Sequence, residues 1–197
     1  MKIAIIGSGG FGREVKQQIL SNYANTEVFF FVDDLYSDSV SMPISTLNIK
    51  EYKVLVAIAD PIVRKRIVES LPKDTDFFTF IHKSVLILDD NIEIGKGSII
   101  CANVVLTTNI KLGEHTQLNL ATTIGHDTRV GEFFTTAPGA KISGNCEIEN
   151  CVYIGTNSSI REKIKITNNV TVGLNSGVVK NINEPGVYVG SPAKKIK

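Results

Sequence analysis

Aliphatic residues recur at every sixth position through the second half of the chain. Fifteen of the sixteen positions in this series are aliphatic, and the exception is a threonine. Because roughly a third of residues would be aliphatic by composition, chance does not plausibly produce such a run. The period is the sequence signature of a parallel β-helix built from hexapeptide repeats. The positions are Leu88, Ile94, Ile100, Leu106, Leu112, Leu118, Ile124, Val130, Thr136, Ile142, Ile148, Ile154, Ile160, Ile166, Val172 and Val178.

Each hexad forms one short strand and a corner, so three hexads close a triangular coil of about 18 residues. The recurrent aliphatic side chain points into the prism, and the corners favour Gly, Asn and Asp, which tolerate unusual backbone dihedrals. Roughly five coils or slightly more result, and at about 4.8 Å between strands they form a rod of roughly 25 Å. The frame is unbroken up to the Pro- and Gly-rich end, where Val187–Val189 is predicted to add a strand. No long loop therefore projects, and any chemistry must use residues on the coils.

Residues 1–80 follow a different pattern, in which short apolar runs alternate with amphipathic stretches. Asp60 followed by Pro61 is typical of a helix start, with an N-cap acid and a first-turn proline. Such alternation predicts a small parallel sheet with crossover helices, whose ligands bind at the carboxyl ends of the strands. The predicted strands are Lys2–Ile6, Val28–Val32, Val54–Ala59 and Phe77–Ile81, and the predicted helices cover Arg13–Ser21 and the stretch from Pro61 to Pro72.

The change of period predicts two domains. An α/β domain with a small parallel sheet is expected over residues 1–82, and an all-β left-handed parallel β-helix with a C-terminal cap over residues 83–197. The small domain is expected to cover one end of the β-helix, because both ends of a stack of coils need capping.

Composition narrows the class of protein further. Charged residues make up 21% of the chain and the formal net charge is +1, so a nucleic-acid partner is not expected. The first apolar run ends in glycines rather than in a signal-peptide cleavage site, and no stretch approaches the roughly 20 apolar residues of a membrane span. We therefore expect a soluble, cytoplasmic protein without membrane insertion. Cys101, Cys146 and Cys151 lack zinc-type spacing, so they are interpreted as reduced buried thiols and no metal is expected.

A glycine motif follows the first predicted strand. Gly7, Gly9 and Gly12 form G-x-G-x-x-G before a helix, and Asp33 and Asp34 follow the next strand. Taken alone, this pattern indicates dinucleotide binding and an oxidoreductase. Only about 80 residues precede the repeats, however, which is enough for half of a doubly wound dinucleotide fold. Backbone amides at a helix N-terminus equally suit the diphosphate of a sugar nucleotide.

Six stretches together carry a family resemblance. They are GSGGFGREV (7–15), FVDD (31–34), AIAD (57–60) followed by Arg64, IGHD (124–127), PGAKISGN (138–145) and VYVGSPAKKI (187–196). In combination they resemble bacterial sugar O- and N-acetyltransferases of the sialic acid O-acetyltransferase type, which include enzymes that N-acetylate nucleotide-linked amino sugars. The resemblance covers nearly the whole chain. It implies a nucleotide sugar on the small N-terminal domain, a homotrimer of β-helices, and the co-substrate acetyl-CoA in a groove between neighbouring helices.

The resemblance also implies a catalytic pair. His126 lies two positions after an inward aliphatic residue, near a corner, and matches the family's catalytic histidine. Near pH 7 a neutral imidazole acts as a general base towards an attacking amine or hydroxyl. Asp127 would orient the ring, at a position where the family commonly has Glu. Gly144, 18 residues after His126 and therefore one coil further along the same edge, matches the backbone amide that stabilises the thioester oxyanion.

The remaining implied contacts fall into two groups. In the family, the acidic pair contacts the base and ribose, and the glycine loop approaches the sugar. Phe11 and Thr135 stand where relatives often have histidine, which bears on the identity of the sugar and on the thioester contact. The predicted acceptor-binding residues are Ser8, Gly9, Gly10, Phe11, Asp33, Asp34, Ala59, Arg64 and Asn119, and the predicted acetyl-CoA-binding residues are Thr135, Gly144, Thr156, Leu174 and Lys194.

The leading hypothesis is an acetyl-CoA-dependent acetyltransferase that N-acetylates a nucleotide-linked deoxyamino sugar for surface glycan. Sugar O-acetylation is the near alternative. A non-catalytic nucleotide-sugar-binding or scaffold protein, in which His126 is only a corner residue, is the alternative of another class, and the dehydrogenase is the third. Turnover of acetyl-CoA distinguishes the enzyme from the scaffold, and NAD binding would favour the dehydrogenase.

Overall fold

The structure, a computed structural model, describes all 197 residues and consists of a small α/β unit followed by a parallel β-helix. Four parallel strands form the small sheet in the order β3-β2-β1-β4. The strands are β1 (Lys2–Ile6), β2 (Glu27–Val32), β3 (Ser41–Pro43) and β4 (Lys53–Val56), the helices are α1 (Gly10–Asn22) and α2 (Pro61–Ser70), and two 3₁₀ turns cover Asp34–Tyr36 and Ile44–Thr46. Asp60 is the N-cap of α2, as predicted, because its carboxylate accepts from the Ile62 and Val63 amides. No helix combines the length and apolar composition needed to cross a bilayer.

The small sheet is covered on both faces, as its uninterrupted apolar runs require. Val15 and Ile19 of α1 pack on one face, and Ile67 of α2 packs on the other. The α1 side of this core also contains Ile99 and Cys101 of the β-helix. The two units therefore share one hydrophobic core, and the small unit lies against the side of the coils, so the expectation that it covers one end of the β-helix is wrong.

The β-helix has three flat faces, each a ladder of short strands from successive coils. Face 1 contains Phe80–Ile81, Ile99–Ile100, Gln117–Leu118, Thr135–Thr136, Tyr153–Ile154, Val170–Val172, Gly186–Val189 and Lys194–Lys195. Face 2 contains Leu86–Ile87, Val105–Leu106, Thr123–Ile124, Lys141–Ile142, Ser159–Ile160 and Gly177–Val178. Face 3 contains Glu93–Ile94, Lys111–Leu112, Arg129–Val130, Glu147–Ile148 and Lys165–Ile166. The second residue of most pairs points inward and belongs to one core of 22 buried residues.

A residue in the left-handed conformation closes every corner between residues 97 and 175. These residues recur every six positions, three after each inward aliphatic residue. Glycine and asparagine suit this conformation, but the coil also imposes it on residues that rarely adopt it, such as Phe133 (φ 56°) and Lys163 (φ 63°). The set is Gly97, Asn103, Asn109, His115, Ala121, Asp127, Phe133, Gly139, Asn145, Cys151, Asn157, Lys163, Asn169 and Asn175.

The sequence frame is wrong at the first coil. Leu106 pairs with Ile87 and not with Leu88, and Leu88 is 56% exposed. Seven residues rather than six separate Ile87 from Ile94, so the coil contains one additional residue before the regular repeat begins. The coils therefore begin at Phe80 and number about six. The first coil can accommodate the additional residue because it has a neighbour on one side only, which leaves its register less constrained.

Of the two predicted strands at the ends of the β-helix, one has a different partner from the expected one and the other is confirmed. Phe77–Ile81 was expected to be the last strand of the small sheet, but Phe77 makes only an isolated bridge to Val54, and Phe80–Ile81 pairs with Ile99–Ile100 on face 1. At the other end, Gly186–Val189 adds to face 1 as predicted, and Lys194–Lys195 folds back antiparallel on it. The division at residue 82 remains a prediction.

Arg64 attaches the small unit to face 1. It is fully buried, and burial lowers its pKa to about 9. Its guanidinium donates to the carbonyls of His115 (3.1 Å) and Phe133 (2.8 Å) and to the hydroxyl of Thr135 (2.8 Å) on the coils. It also donates to the Ile58 carbonyl (2.6 Å) in its own unit. Every nitrogen of the guanidinium has a protein partner, and Arg64 together with the shared core holds the two units in this orientation.

His115 lies beneath this contact. It is 2% exposed, stacks on Phe133 with ring centroids 5.2 Å apart, and meets the edge of Phe77 at 4.6 Å. Its Nδ1 has no hydrogen-bond partner. Burial, followed by the charges of Arg64 and Lys96, lowers the pKa of His115 to about 4.

We expect acid to destabilise the protein through His115. The unfolded histidine titrates near pH 6.5 and the folded one near 4, so stability is unaffected above about pH 6.5 and falls as the pH decreases towards 4. Between pH 7 and 5 the loss is about 2 kcal/mol. His115→Phe keeps the stacking without the proton site and should lose about 2 kcal/mol less over that interval, measured by urea unfolding. Equal losses in both proteins would contradict the assignment.

Candidate functional site

His126 lies on the corner between face 2 and face 3, here called the His126 corner (108–109, 126–127, 144–145 and 162–163). Its Nδ1 lies 2.8 Å from Asp127 Oδ2, and the two side chains are 57% and 45% exposed. Hydrogen bonds from His126 and then from Asn109 lower the pKa of Asp127, so at neutral pH its carboxylate only accepts. In the neutral ring Nδ1 therefore carries the proton, which leaves Nε2 as the nitrogen that can accept one.

Aspartate reaches the ring at this position although it is shorter than glutamate. Asp127 occupies the left-handed corner position, with φ 59°, and Asp adopts this conformation more readily than longer side chains do. The turn directs the Asp127 carboxylate back towards the preceding residue, His126, so the shorter side chain reaches the ring without the additional methylene group of glutamate.

Gly144 lies against the imidazole, one coil after it. A Cβ at this position would be 2.6 Å from His126 Nε2, so any residue other than glycine would collide with the imidazole in this orientation. The coils are joined here by the Asn145 amide, which donates to the His126 carbonyl at 2.7 Å. The Gly144 amide, like those at most equivalent corner positions, makes no backbone hydrogen bond. A free donor therefore lies beside a free base, which is the pair of groups that acyl transfer requires.

The glycine loop lies at a different corner. Gly9 and Gly10 are exposed and have open space where a side chain would be, whereas Gly12 is needed because its Cβ would meet the Gly7 carbonyl. A cavity of about 520 Å³ lies between the start of α1 and Ala102 and Leu120. This second corner, between faces 1 and 2, is here called the loop corner (102–103, 120–121, 138–139, 156–157 and 174–175).

Other predicted acceptor residues near the loop have local roles as well. The Ser8 carbonyl accepts from Arg13 Nη1 at 3.0 Å, and Phe11 packs against the core shared by the two units. Asn119 precedes the loop corner, where its side-chain oxygen accepts from the Leu120 amide at 2.7 Å and leaves its amide nitrogen free.

The acidic pair follows β2 at the same sheet edge as the loop. Asp33 accepts from the Leu35 amide, and Asp34 accepts from the Ser45 amide. The Ser45 hydrogen bonds lower the pKa of Asp34, so its carboxylate stays charged at neutral pH. Both acids line a cavity of about 440 Å³ that Ile44 and Leu71 also line. The remaining carboxylate oxygens are available to donors of a ligand.

Arg64, Ala59 and Thr135 form a cluster between the two units. The Ala59 carbonyl accepts from Arg64 (3.2 Å) and from the Thr135 hydroxyl (3.0 Å). Thr135 is 2% exposed. The hydrogen-bonding groups of Arg64 and Thr135 are thus directed at protein atoms, and the geometry gives these residues a part in docking the units.

The predicted acetyl-CoA residues divide between the two corners. Gly144 lies on the His126 corner, whereas Thr156 and Leu174 lie on the loop corner, where both are exposed. Lys194 is exposed on the terminal strand of face 1. Within one chain, face 2 separates His126 from the glycine loop, so a single protomer does not bring all predicted residues together.

Sequence analysis did not single out Asn109, whose side-chain nitrogen lies 2.6 Å from Asp127 Oδ1. The 18-residue spacing between the two was visible in the repeat. Asparagine is common at these corners for conformational reasons, however, so spacing alone did not distinguish it from its equivalents.

Comparisons with known proteins identify the family of this chain. Residues 2–71 match the family model described as the PglD N-terminal domain. GDP-perosamine N-acetyltransferase of Escherichia coli O157:H7 is 31% identical over 174 residues, covering 81% of this chain and 78% of that one. The chain belongs to the hexapeptide-repeat sugar acetyltransferase family. Members of this family are acyltransferases acting on sugars.

Solved structures of relatives match over the whole length. WeeI from Acinetobacter baumannii AYE is 30% identical, covers 100% of both chains and has a TM-score of 0.90. The acetyltransferase domain of PglB from Neisseria gonorrhoeae FA1090, solved with acetyl coenzyme A, is 28% identical, covers 99% of this chain and 98% of that one, and has a TM-score of 0.87. The β-helix of this acetyltransferase has the left-handed fold of the family, which confirms the predicted fold class.

We expect Gly144→Ala to reduce turnover at least about 10-fold, because the new methyl group displaces the imidazole from its place. Its Cβ would lie 2.6 Å from Nε2. The neighbouring substitution Ser143→Ala, on an exposed side chain, is the matched control and should leave kcat unchanged. Steady-state kinetics with thermal unfolding measure both effects. Full activity in a folded Gly144→Ala protein would show that the ring position does not matter.

Proposed function

We propose that this acetyltransferase transfers the acetyl group of acetyl-CoA to the amino group of a nucleotide-linked deoxyamino sugar destined for surface glycan. The observation that carries the proposal is the free Nε2 of His126, held by Asp127 on one side and lying against Gly144 on the other. The 31% identical relative is named for N-acetylation of GDP-perosamine, and a relative with the same fold holds acetyl coenzyme A.

The reaction follows from these groups. His126 Nε2 takes a proton from the amine as the amine nitrogen attacks the thioester carbonyl, and the Gly144 amide donates to the oxyanion that forms. Collapse of the tetrahedral intermediate breaks the carbon–sulfur bond. The thiolate of CoA then receives the proton from Nε2, which returns the histidine to its starting state. Asp127 keeps the proton on Nδ1 throughout, so Nε2 is always the nitrogen that exchanges.

The nucleotide end of the acceptor is assigned to Asp33 and Asp34, and its diphosphate to the free amides at the start of α1. The acids lie at the carboxyl end of β2 beside the glycine loop, where open parallel sheets bind ligands. The start of α1 has no side-chain cap, so its amides remain available to an anion. This placement extends the acceptor from the acidic pair towards the loop corner.

A homotrimer is proposed because one chain leaves the site incomplete. His126 and Gly144 lie at one edge of face 2, and the glycine loop, Thr156 and Leu174 lie at the other. If face 2 of three copies surrounds a threefold axis, the His126 corner of each copy meets the loop corner of the next. Acetyl-CoA and the acceptor then meet at each of three equivalent junctions.

The surface of the β-helix supports face 2 as the contact between copies. Six large apolar residues of the β-helix are exposed, and four of them lie on or directly after face 2 strands. Face 1 is covered in its early coils by the small unit, and face 3 carries the ion pairs Lys111–Glu93 and Lys165–Glu147. The four residues are Leu86, Ile87, Leu88 and Val179.

His126→Ala should lower kcat by about 10²-fold or more, because it removes the only base at the site. Turnover would be followed by thiol release from acetyl-CoA with a panel of nucleotide amino sugars, GDP-linked ones first, from about pH 6 to about pH 9. Thr108→Ala, at the equivalent corner position one coil earlier, is the matched control. A His126→Ala protein with wild-type kcat throughout this range would refute the general base, and products acetylated on oxygen would replace N-acetylation by O-acetylation.

Light scattering should give three times the chain mass of 21.5 kDa. Thr123→Arg places a large cation in the centre of face 2 and should convert the trimer to monomers with loss of activity, because charge repulsion acts three times around the axis. Thr167→Arg makes the same substitution directly after the last strand of face 3 and should leave the trimer intact. A monomeric wild-type protein, or an unaffected Thr123→Arg trimer, would contradict the arrangement.

A further inference from the structure

Asp89, Asn109 and Asp127 follow one another on successive coils at and beside the His126 corner. Asp89 Oδ2 accepts from the Asn109 backbone amide at 2.8 Å, and Asn109 Nδ2 donates to Asp127 Oδ1 at 2.6 Å. Asp127 Oδ2 then meets His126 Nδ1 at 2.8 Å. On the next coil, the Asn145 side-chain nitrogen is 3.5 Å from the same Nδ1, to which it cannot donate while Nδ1 carries the proton. Hydrogen bonds through Asp89, Asn109 and Asp127 thus link neighbouring coils and end on the imidazole.

We propose that Asn109 is a positioning residue, which holds the Asp127 carboxylate in the one orientation that keeps the His126 proton on Nδ1. This inference rests on the proposed function of His126 as the base. The bond from Asn109 occupies Oδ1, and so it directs Oδ2 at the ring. Without this bond, the exposed carboxylate can rotate about its χ2 torsion, and its hydrogen bond to the imidazole is replaced by hydrogen bonds to water.

The alternative explanation for Asn109 is purely conformational. Its φ is 50°, and asparagine is one of the residues that adopt left-handed corners with little strain. At the corner of Asn169, with φ 57°, an asparagine side chain makes no hydrogen bond. A substitution that keeps the corner but removes the amide therefore separates the two roles.

The structure indicates why this chain needs such a residue. The carboxylate is 45% exposed, so water competes for both of its oxygens and the contact to the histidine is weak by itself. A second bond from an amide whose own backbone is fixed by Asp89 reduces the freedom of the carboxylate before the reaction begins. The corner register provides this, because residues 18 apart lie directly above one another.

The test uses Asn109→Gly, which keeps the left-handed corner and removes the amide, and Asn109→Asp, which keeps the shape but no longer donates. Both should lower kcat about 3- to 10-fold and leave the KM for acetyl-CoA unchanged. Asn169→Gly is the matched control and should match wild type. In an Asp127→Ala background, Asn109→Gly should have no further effect, because the residue acts through Asp127.

The ¹⁵N resonances of His126 provide a readout that does not depend on turnover. The wild-type protein should show mainly the Nδ1–H tautomer, and Asn109→Gly should show a mixture of tautomers, with Asn169→Gly unchanged. The inference is overturned if the tautomer is unaffected by Asn109→Gly, or if its kcat loss is equally large without Asp127. If His126→Ala retained activity, the general base would fail while the tautomer result still decided the role of Asn109.

Discussion

Every feature of the site depends on the vertical register of the coils. One turn of the β-helix takes 18 residues, so the strand ladders place residues such as Thr123 and Lys141 directly in line. The inward aliphatic residues stack in the core, and a left-handed residue closes each corner. This register is what places the His126 ring over Gly144 and the Asn109 amide over Asp127, although none of these residues contributes to the hydrophobic core. A rigid stack of coils therefore provides the fixed geometry that acyl transfer needs from exposed side chains.

The docking of the small unit determines the second half of the site. Arg64 donates to carbonyls of both units and is fully buried at their junction, and the core on the α1 side continues into Ile99 and Cys101 of face 1. The orientation of the glycine loop relative to the coils is thus as well defined as the coils themselves. Because that orientation faces the loop corner and not the His126 corner, the proposed reaction requires a neighbouring chain. The same contact encloses His115, whose unpartnered Nδ1 links docking of the small unit to pH.

Much of this molecule was predictable because its patterns are periodic. The hexad series determined the β-helix, its three faces and the corner position of His126, and the spacing of 18 placed Gly144 beside it. The apolar runs and the Asp60–Pro61 pair predicted β1, β2, β4 and α2 of the small sheet. The prediction was wrong where the repeat ends, at Leu88 and at Phe77–Ile81, because an end coil has one neighbour and its register is set by contacts with the other unit.

The sequence by itself determined the fold class, the family and the corner position of His126, because each depends on residues that are close in the chain or evenly spaced along it. Only the tertiary structure decided what the side chains do there. It placed Arg64 and Thr135 in the junction between the units, showed that an aspartate reaches the imidazole from a left-handed corner, and brought the Asn109 side chain to Asp127. These contacts depend on side-chain direction and on the docking of two units. Side-chain direction and docking produce no periodic pattern in the sequence, because a hydrogen bond between residues far apart in the chain depends on three-dimensional geometry and not on local composition.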